Sequence, residues 1–183
     1  MTRIVAGTAG GRRLAVPPRG TRPTSDRVRE AMFSAIEAAL DLDGARVLDL
    51  YAGSGALGLE ALSRGAAAVT FVESDRTALN VLRSNIATLG LPGASVVSGR
   101  VQGFLAGEPS PCDLILADPP YADTDIDTVA AALSGWTAPD GLVIIERSVR
   151  SPAPAWPPSL RALKVRKYGD TALHWAEHHA TEA

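Results

Sequence analysis

The sequence predicts an α/β fold: a mostly parallel sheet with helices on both faces, an antiparallel last strand, and a small N-terminal β-hairpin extension. Three observations predict it. From Arg46 onward the apolar runs "RVLDLY", "AVTFVE", "ASVVS", "CDLILAD" and "LVIIE" are separated mainly by helical patterns. Runs that are apolar throughout belong to strands buried on both faces, as in a parallel sheet with helical crossovers. The end of the chain breaks that rhythm: "LRALKVRKYGDTALHWAE" holds two β-prone runs about "YGD" with no helix between them, an antiparallel hairpin at the sheet edge. Together these make a seven-stranded sheet. Third, the first run leads into "AGSGALGL", where Gly53, Gly55 and Gly58 have the spacing of a Rossmann-like nucleotide loop.

The elements follow in order. "RIVAGTAGGRRLAV" reads as a hairpin about a glycine-rich turn, and "PPRGTRPT" as a proline-stiffened connector. Thr24 or Ser25 caps a helix whose Val28, Met32, Ala35, Ile36, Ala39 and Leu40 share one face. "LGLEALSR" is a second helix, ended by Gly65. Asp75 caps a third, with Ala78, Leu79, Leu82, Ile86 and Leu89 on one side and Gly90 closing it. A further helix is expected around Ile126–Leu133.

Length and composition suit a globular protein: 183 residues, 46% hydrophobic and 21% charged. Two parts are expected, a basic hairpin extension over residues 1–23 and a catalytic domain over 24–183. No signal-peptide pattern or ~20-residue apolar run is present, so a cytoplasmic protein without membrane contact is expected. Cys112 is the only cysteine, and His174, His178 and His179 sit near the C-terminus; they offer no convincing metal site, and no metal is expected.

Charge is unevenly spread. Residues 1–30 hold seven arginines (Arg3, Arg12, Arg13, Arg19, Arg22, Arg27, Arg29) against Asp26 and Glu30, while the rest is acidic on balance. Such an arm can attract phosphates, or it can be a solvated segment with internal pairing. A second basic run spans Arg161 to Lys167.

A doubly wound sheet binds ligands beyond the carboxyl ends of its strands, where the glycine loop and Glu73 both fall. Glu73 could accept hydrogen bonds from ribose hydroxyls of either a nicotinamide dinucleotide or S-adenosylmethionine. Asp49 tilts the choice. A carboxylate inside a strand is costly unless it finds donors; a sulfonium and an ammonium suit it, whereas a pyrophosphate would be repelled. Asp49 tying down the loop backbone is compatible with both.

"LILADPPY" ends the fourth run with Asp118, Pro119, Pro120 and Tyr121. The prolines stop the ladder and force a turn at the ligand-facing edge. The Asp118 carboxylate and the Pro119 carbonyl then stand side by side as acceptors for the two protons of an exocyclic nucleobase amine. Held so, the nitrogen directs its lone pair at a methyl sulfonium. Tyr121 offers a face for the unstacked base, a contact worth roughly 1–3 kcal/mol.

With "RIVAGTAGGRRL", "RPTSDRVREAMFSAI", "LDLYAGSGALGLEALSRGA", "VES", "ADPPY" and "YGD", nearly the whole chain resembles the bacterial 16S ribosomal RNA guanine-N2 methyltransferases, the D members of the small-subunit series. The resemblance implies a class I S-adenosylmethionine-dependent methyltransferase fold. It also implies S-adenosylmethionine as donor and one guanine of 16S rRNA as target, reached in the small subunit or an assembly intermediate. By position, Asp49, Tyr51, Ala52, Gly53, Gly55, Glu73, Ser74, Arg100, Val101 and Asp118 would hold the cofactor. Asp118, Pro119, Pro120 and Tyr121 would hold the guanine and act on it. Arg3, Arg12, Arg13, Arg22, Thr24 and Arg27 would contact RNA. One position departs: many relatives have an acid on the adenine side where this chain has Arg100, so backbone groups of Arg100 and Val101 would read that ring.

A monomer is expected. Two alternatives share the pattern: a DNA adenine-N6 methyltransferase, and a non-catalytic RNA-binding assembly factor. Against the first, about 30 residues before the first helix leave little room for a DNA-recognition domain. Against the second stand Asp118 and Tyr121. On this reading, removing residues 1–20 weakens RNA binding and spares cofactor binding.

Overall fold

The computed structural model describes residues 2–18, 24–120 and 125–179. Its main sheet has seven strands: β3 (Arg46–Leu50), β4 (Ala68–Glu73), β5 (Ala94–Ser98), β6 (Cys112–Ala117), β7 (Thr137–Ser148), β8 (Leu160–Tyr168) and β9 (Thr171–His178), in the order β5-β4-β3-β6-β7-β9-β8. β3 to β7 are mutually parallel; β9 runs antiparallel between β7 and β8, so β8 is one edge and β5 the other. The chain lays β4 and β5 on one side of β3 and then crosses to lay β6 on the other. The carboxyl ends of β3 and β6 therefore flank the switch point, where such sheets open a crevice.

Side-chain alternation sorts the core into two layers. Leu114 and Leu116 of β6, with Ile144, Leu173 and Trp175, pack with Met32, Phe33 and Ile36 of α1 (Asp26–Ala39), Leu59 of α2 (Ala56–Ser63) and Leu82 of α3 (Arg76–Leu89). Ile115 and Ala117, with Val143 and Ile145, pack on Val101 and Leu105 of α4 (Val101–Leu105) and Ile126 and Val129 of α5 (Ile126–Ala132). The caps are those the sequence specifies. Ser25 Oγ accepts from Val28 N–H at 3.2 Å, Asp75 Oδ2 accepts from Ala78 N–H at 2.8 Å, and Gly90 ends α3 at φ 63°. α4 has no counterpart in the sequence reading: five residues around Gly103 are too few to show an apolar period.

The α1 face differs from its apolar pattern. Ala39 is exposed, and Arg29 is buried beside Met32, Phe33 and Ile36. The cause is Glu60 on α2, at 0% exposure like Arg29. Glu60 accepts from Arg29 Nε at 3.2 Å, Arg64 Nε at 3.0 Å, Val5 N–H at 2.8 Å and Ala6 N–H at 3.1 Å. Arg29 also pairs with Asp26 at 2.9 Å and donates to the Arg3 carbonyl.

The N-terminal hairpin, β1 (Thr2–Arg3) with β2 (Arg13–Leu14), is thereby docked on α1 and α2. Ser63 adds a hydroxyl bond to the Ala6 carbonyl at 2.6 Å and accepts from Ala9 N–H at 2.9 Å. Gly7 sits at φ +82°, with space for a Cβ only 1.9 Å from the Ser63 carbonyl oxygen, so the approach admits glycine alone.

Glu60→Ala strips the buried carboxylate from a fully buried arginine and from two hairpin amides, so unfolding free energy should drop by about 3–5 kcal/mol. Urea denaturation measures it, and a loss below about 1 kcal/mol would contradict this account of the hairpin's anchorage.

Candidate active site

At the switch point the glycine loop leaves β3 through Tyr51 in a left-handed conformation, φ 57°. Gly53 follows at φ 56° with nothing within 4 Å of where a Cβ would stand, an open floor that lets a ligand meet backbone. Gly55 N-caps α2. Gly58 serves packing: a Cβ there would meet Phe71 of β4 at 2.3 Å, so its absence lets α2 lie close on the sheet.

Two acids brace the loop. Glu73, at the end of β4, accepts from Gly53 N–H at 2.8 Å through one oxygen and from Ser74 and Asp75 N–H, both at 2.8 Å, through the other. Asp49, 1% exposed, accepts from Gly58 N–H at 3.0 Å. Of the two roles open to Asp49 in the sequence, this bond is the loop-tying one. Burial, partly offset by the Gly58 bond and reinforced by the Glu73 charge, pushes its pKa up to about 8.

Asp118 follows β6 directly, its N–H 3.4 Å from the Leu50 carbonyl of β3. Pro119 is buried and Pro120 exposed; Tyr121 lies outside the described residues. Burial, then the charges of Glu146 and of Asp49, raises the Asp118 pKa well above the usual carboxylate range. Glu146 lies one step beyond the Ala117–Ile145 pair on β7, next to Asp118. Its own pKa is raised by burial, against a lowering hydrogen bond from the Thr24 hydroxyl at 2.8 Å. Asp49, Leu116, Ile144 and Glu146 alternate onto one sheet face, so three carboxylates crowd at the strand ends beneath the start of α1.

A cleft of about 150 Å³ lies beside them, lined by Tyr51, Glu73, Ser74, Arg100, Val101 and Pro120, among others. It brings together one group of the sequence-selected residues. Asp49, Gly53, Gly55, Asp118 and Pro119 stand around the loop and the β6 tip instead. A larger hollow of about 460 Å³ between Glu37 and Asp43 lies at the other end of α1, away from the loop. Among the described residues no group of three His, Cys, Asp or Glu is placed to hold a metal ion, and no helix is long and apolar enough to cross a membrane.

Of the arginines, Arg3, Arg13 and Arg27 are exposed; Arg12 is too, with one nitrogen on the Thr88 carbonyl at 2.9 Å. Arg22 lies outside the described residues. Thr24, half-buried, is committed to Glu146.

The family model described as conserved hypothetical protein 95 matches residues 2–177. The ribosomal RNA small subunit methyltransferase D of Escherichia coli strain K12 is 39% identical over 173 residues, 93% of this chain and 86% of the relative. That of Haemophilus influenzae is 36% identical over 158 residues, 82% and 80% of the two chains. The chain belongs to the small subunit methyltransferase D family. The solved structure of yhhF from Escherichia coli superposes on this family member with TM-score 0.89 at 37% identity, covering 98% of this chain and 99% of that one.

Two residues of the site escaped the sequence reading. Glu146 closes the apolar run "LVIIE", and a charge at the end of a buried strand was its signal. Asn85 gave none beyond a polar residue among helical apolars. It donates to the Ser54 carbonyl of the glycine loop at 2.9 Å and exchanges bonds with Ala15 N–H and C=O, both 2.9 Å.

The raised Asp49 pKa sets a sign. The folded protein holds this proton between pH 3.8, the unfolded value, and about 8, where the unfolded chain has released it, so the contribution weakens as pH rises through that window. Asp49→Asn keeps a carbonyl for Gly58 and carries no charge. Its Tm relative to the unsubstituted protein should rise from pH 4 to pH 8, by roughly 2–4 °C per kcal/mol recovered. A Tm difference that is flat across this range in scanning calorimetry would refute the buried-acid assignment.

Proposed function

We propose that the protein transfers a methyl group from S-adenosylmethionine to the exocyclic N2 amine of a guanine in 16S rRNA of the small ribosomal subunit. One observation carries this reading: Asp118 stands at the β6 tip before two prolines, beside Asp49 and Glu146 and across from the glycine loop. The relatives' names point to ribosomal RNA, and the match spans nearly the whole chain.

The site's chemistry fits this cofactor better than a dinucleotide. The raised pKa values mark a buried site where negative charge goes uncompensated, so an ammonium or sulfonium fits there better than a pyrophosphate. Gly53 offers bare backbone, and Glu73 is already oriented by three N–H groups, so it presents its remaining lone pairs without reorganising. The cleft of about 150 Å³ is small beside the ~300–1,000 Å³ of whole-ligand sites, so it suits one end of the cofactor, the adenine against Arg100 and Val101.

S-adenosylmethionine held by the glycine loop and Glu73 would supply an electrophilic methyl carbon, with its sulfur as the leaving group that keeps the electron pair of the broken S–C bond. The chain's own groups set the amine. Asp118 and the Pro119 carbonyl accept its two hydrogen bonds and hold the nitrogen lone pair toward the methyl. Asp118 must be ionised to accept both its proton and, afterwards, part of the positive charge on nitrogen. The methylated ammonium is acidic and gives its proton to Asp118 or to solvent, so no stronger base is required. Glu146 stands across from Asp118 on the neighbouring strand, is itself held by the Thr24 hydroxyl ahead of α1, and would set the charge state of Asp118.

The test is incubation with labelled methyl donor and, separately, small subunits, naked rRNA and DNA, followed by mapping of the label. Label on guanine N2 of rRNA is the expected result; label on DNA adenine would replace this reading. Asp118→Ala should cut turnover by about 10²–10³-fold, the range seen when one group that stabilises the reacting charge is removed. Near-normal turnover would exclude its role.

Because Asp118 must be ionised, the acid limb of the rate profile should lie well above pH 3.8. Glu146→Gln removes the neighbouring carboxylate that, after burial, does most to raise the Asp118 pKa, so the limb should move to lower pH. Thr24→Val should reduce kcat severalfold and Thr24→Ser should restore it. An unmoved limb together with full activity of Thr24→Val would remove Glu146 from the mechanism.

A further inference from the structure

Strand β8 reads "LRALKVRKY", four cations without an acid, on the open edge of the sheet. The pairing fixes where those cations stand. β8 is antiparallel to β9, and β9 to β7, so β8 points the same way as β7 and its last residues lie at the ligand-facing end. Glu146 of β7 pairs with Leu173 of β9, and Leu173 pairs with Arg166. Arg147, Ala172 and Lys167 form the next row. Strands lie about 4.8 Å apart, so the Arg166 backbone is about 14 Å from that of Asp118, three strands along the same row.

Faces agree as well as ends. Lys164 and Arg166 pair with Trp175 and Leu173, whose side chains lie in the layer packed under α1. They therefore project on the face that carries Asp49, Glu146 and the start of α1 with its exposed Arg27. Lys164 is held in place, its ammonium 4.3 Å from the Trp175 ring centroid. Arg161, at the far end, is instead paired with Glu177.

We propose that the outer end of β8, with Lys164 and Arg166, is a second RNA-contacting surface that grips the phosphate backbone beside the target nucleotide. The proposal rests on the RNA substrate above. Phosphates are the occupant that the charge selects. A protein strand adding to this edge would meet a run of like charges and a bulge between Ala162 and Lys164, the devices that discourage edge pairing. Leu163 and Val165, 41% and 50% exposed, are the apolar residues a protein partner would use. The arm on α1 and the cations of β8 then hold RNA on two sides of the β6 tip.

The test compares the full-length protein with Lys164→Gln/Arg166→Gln and with Leu163→Thr/Val165→Thr. It follows binding to small subunits and to naked 16S rRNA across salt concentrations, cofactor binding by calorimetry, and kcat and KM. The charge variant should bind both RNAs about tenfold more weakly, with a salt slope shallower by about 0.7 for each phosphate no longer neutralised. Cofactor affinity and kcat at saturating RNA should stay within twofold. RNA affinity and slope equal to the unsubstituted protein's would overturn the proposal and leave the cations as a guard on the edge. Weaker subunit binding by the apolar variant alone, with naked rRNA unaffected, would overturn it in favour of a protein partner. An unsubstituted protein that neither binds nor methylates RNA would refute the RNA substrate itself, a failure separable from equal behaviour of the variants.

Discussion

The position of everything around the site depends on one buried carboxylate. Glu60 gathers two arginine side chains and two hairpin amides at a fully buried position. A carboxylate there is tolerable because its oxygens are occupied by donors, two of them charged; lacking these, it would take up a proton or open the structure. The consequence is geometric. α2 grows from the glycine loop, α1 begins beside Glu146 with Arg27 exposed, and the hairpin lies across both, so the three cannot shift independently.

The three acids of the candidate site obey the opposite rule. Asp49, Asp118 and Glu146 have few donors for their burial, and each has a raised pKa in consequence. Glu60 is satisfied by its own fold; these three are satisfied best by something added. A cation placed among them would lower all three pKa values together, so binding of a sulfonium cofactor and ionisation of Asp118 favour each other. The same coupling makes the site a poor host for anions, although the surface around it is basic.

The sheet was legible because its parallel strands carry apolar runs and its helices are punctuated: Ser25, Asp75 and Gly90 act where the sequence places them. The glycine loop and the β6 tip were legible for the same reason, since each depends on residues with special backbone behaviour. What the sequence hid is polar and long-range. Arg29 looked like one more arm cation, and only Glu60, thirty-one positions away, explains its burial. Thr24 looked like a phosphate contact, yet its hydroxyl reaches Glu146 across 122 positions. Periodicity records which side faces the core, not which distant charge waits there.

The docked hairpin also changes what its removal means. On charge alone, deleting residues 1–20 should weaken RNA binding and spare the cofactor. In the fold, that deletion takes two amides from Glu60 and the Arg3 carbonyl from Arg29. It also takes Ala15 from Asn85, whose other bond holds the Ser54 carbonyl of the glycine loop. Loss of cofactor affinity on truncation would therefore say little about where RNA binds. Substitutions at Arg3 and Arg13, whose side chains are exposed, separate the two effects, because they remove charge and leave the backbone bonds in place. The arm's chemistry lies in its side chains, and its architectural role lies in its main chain.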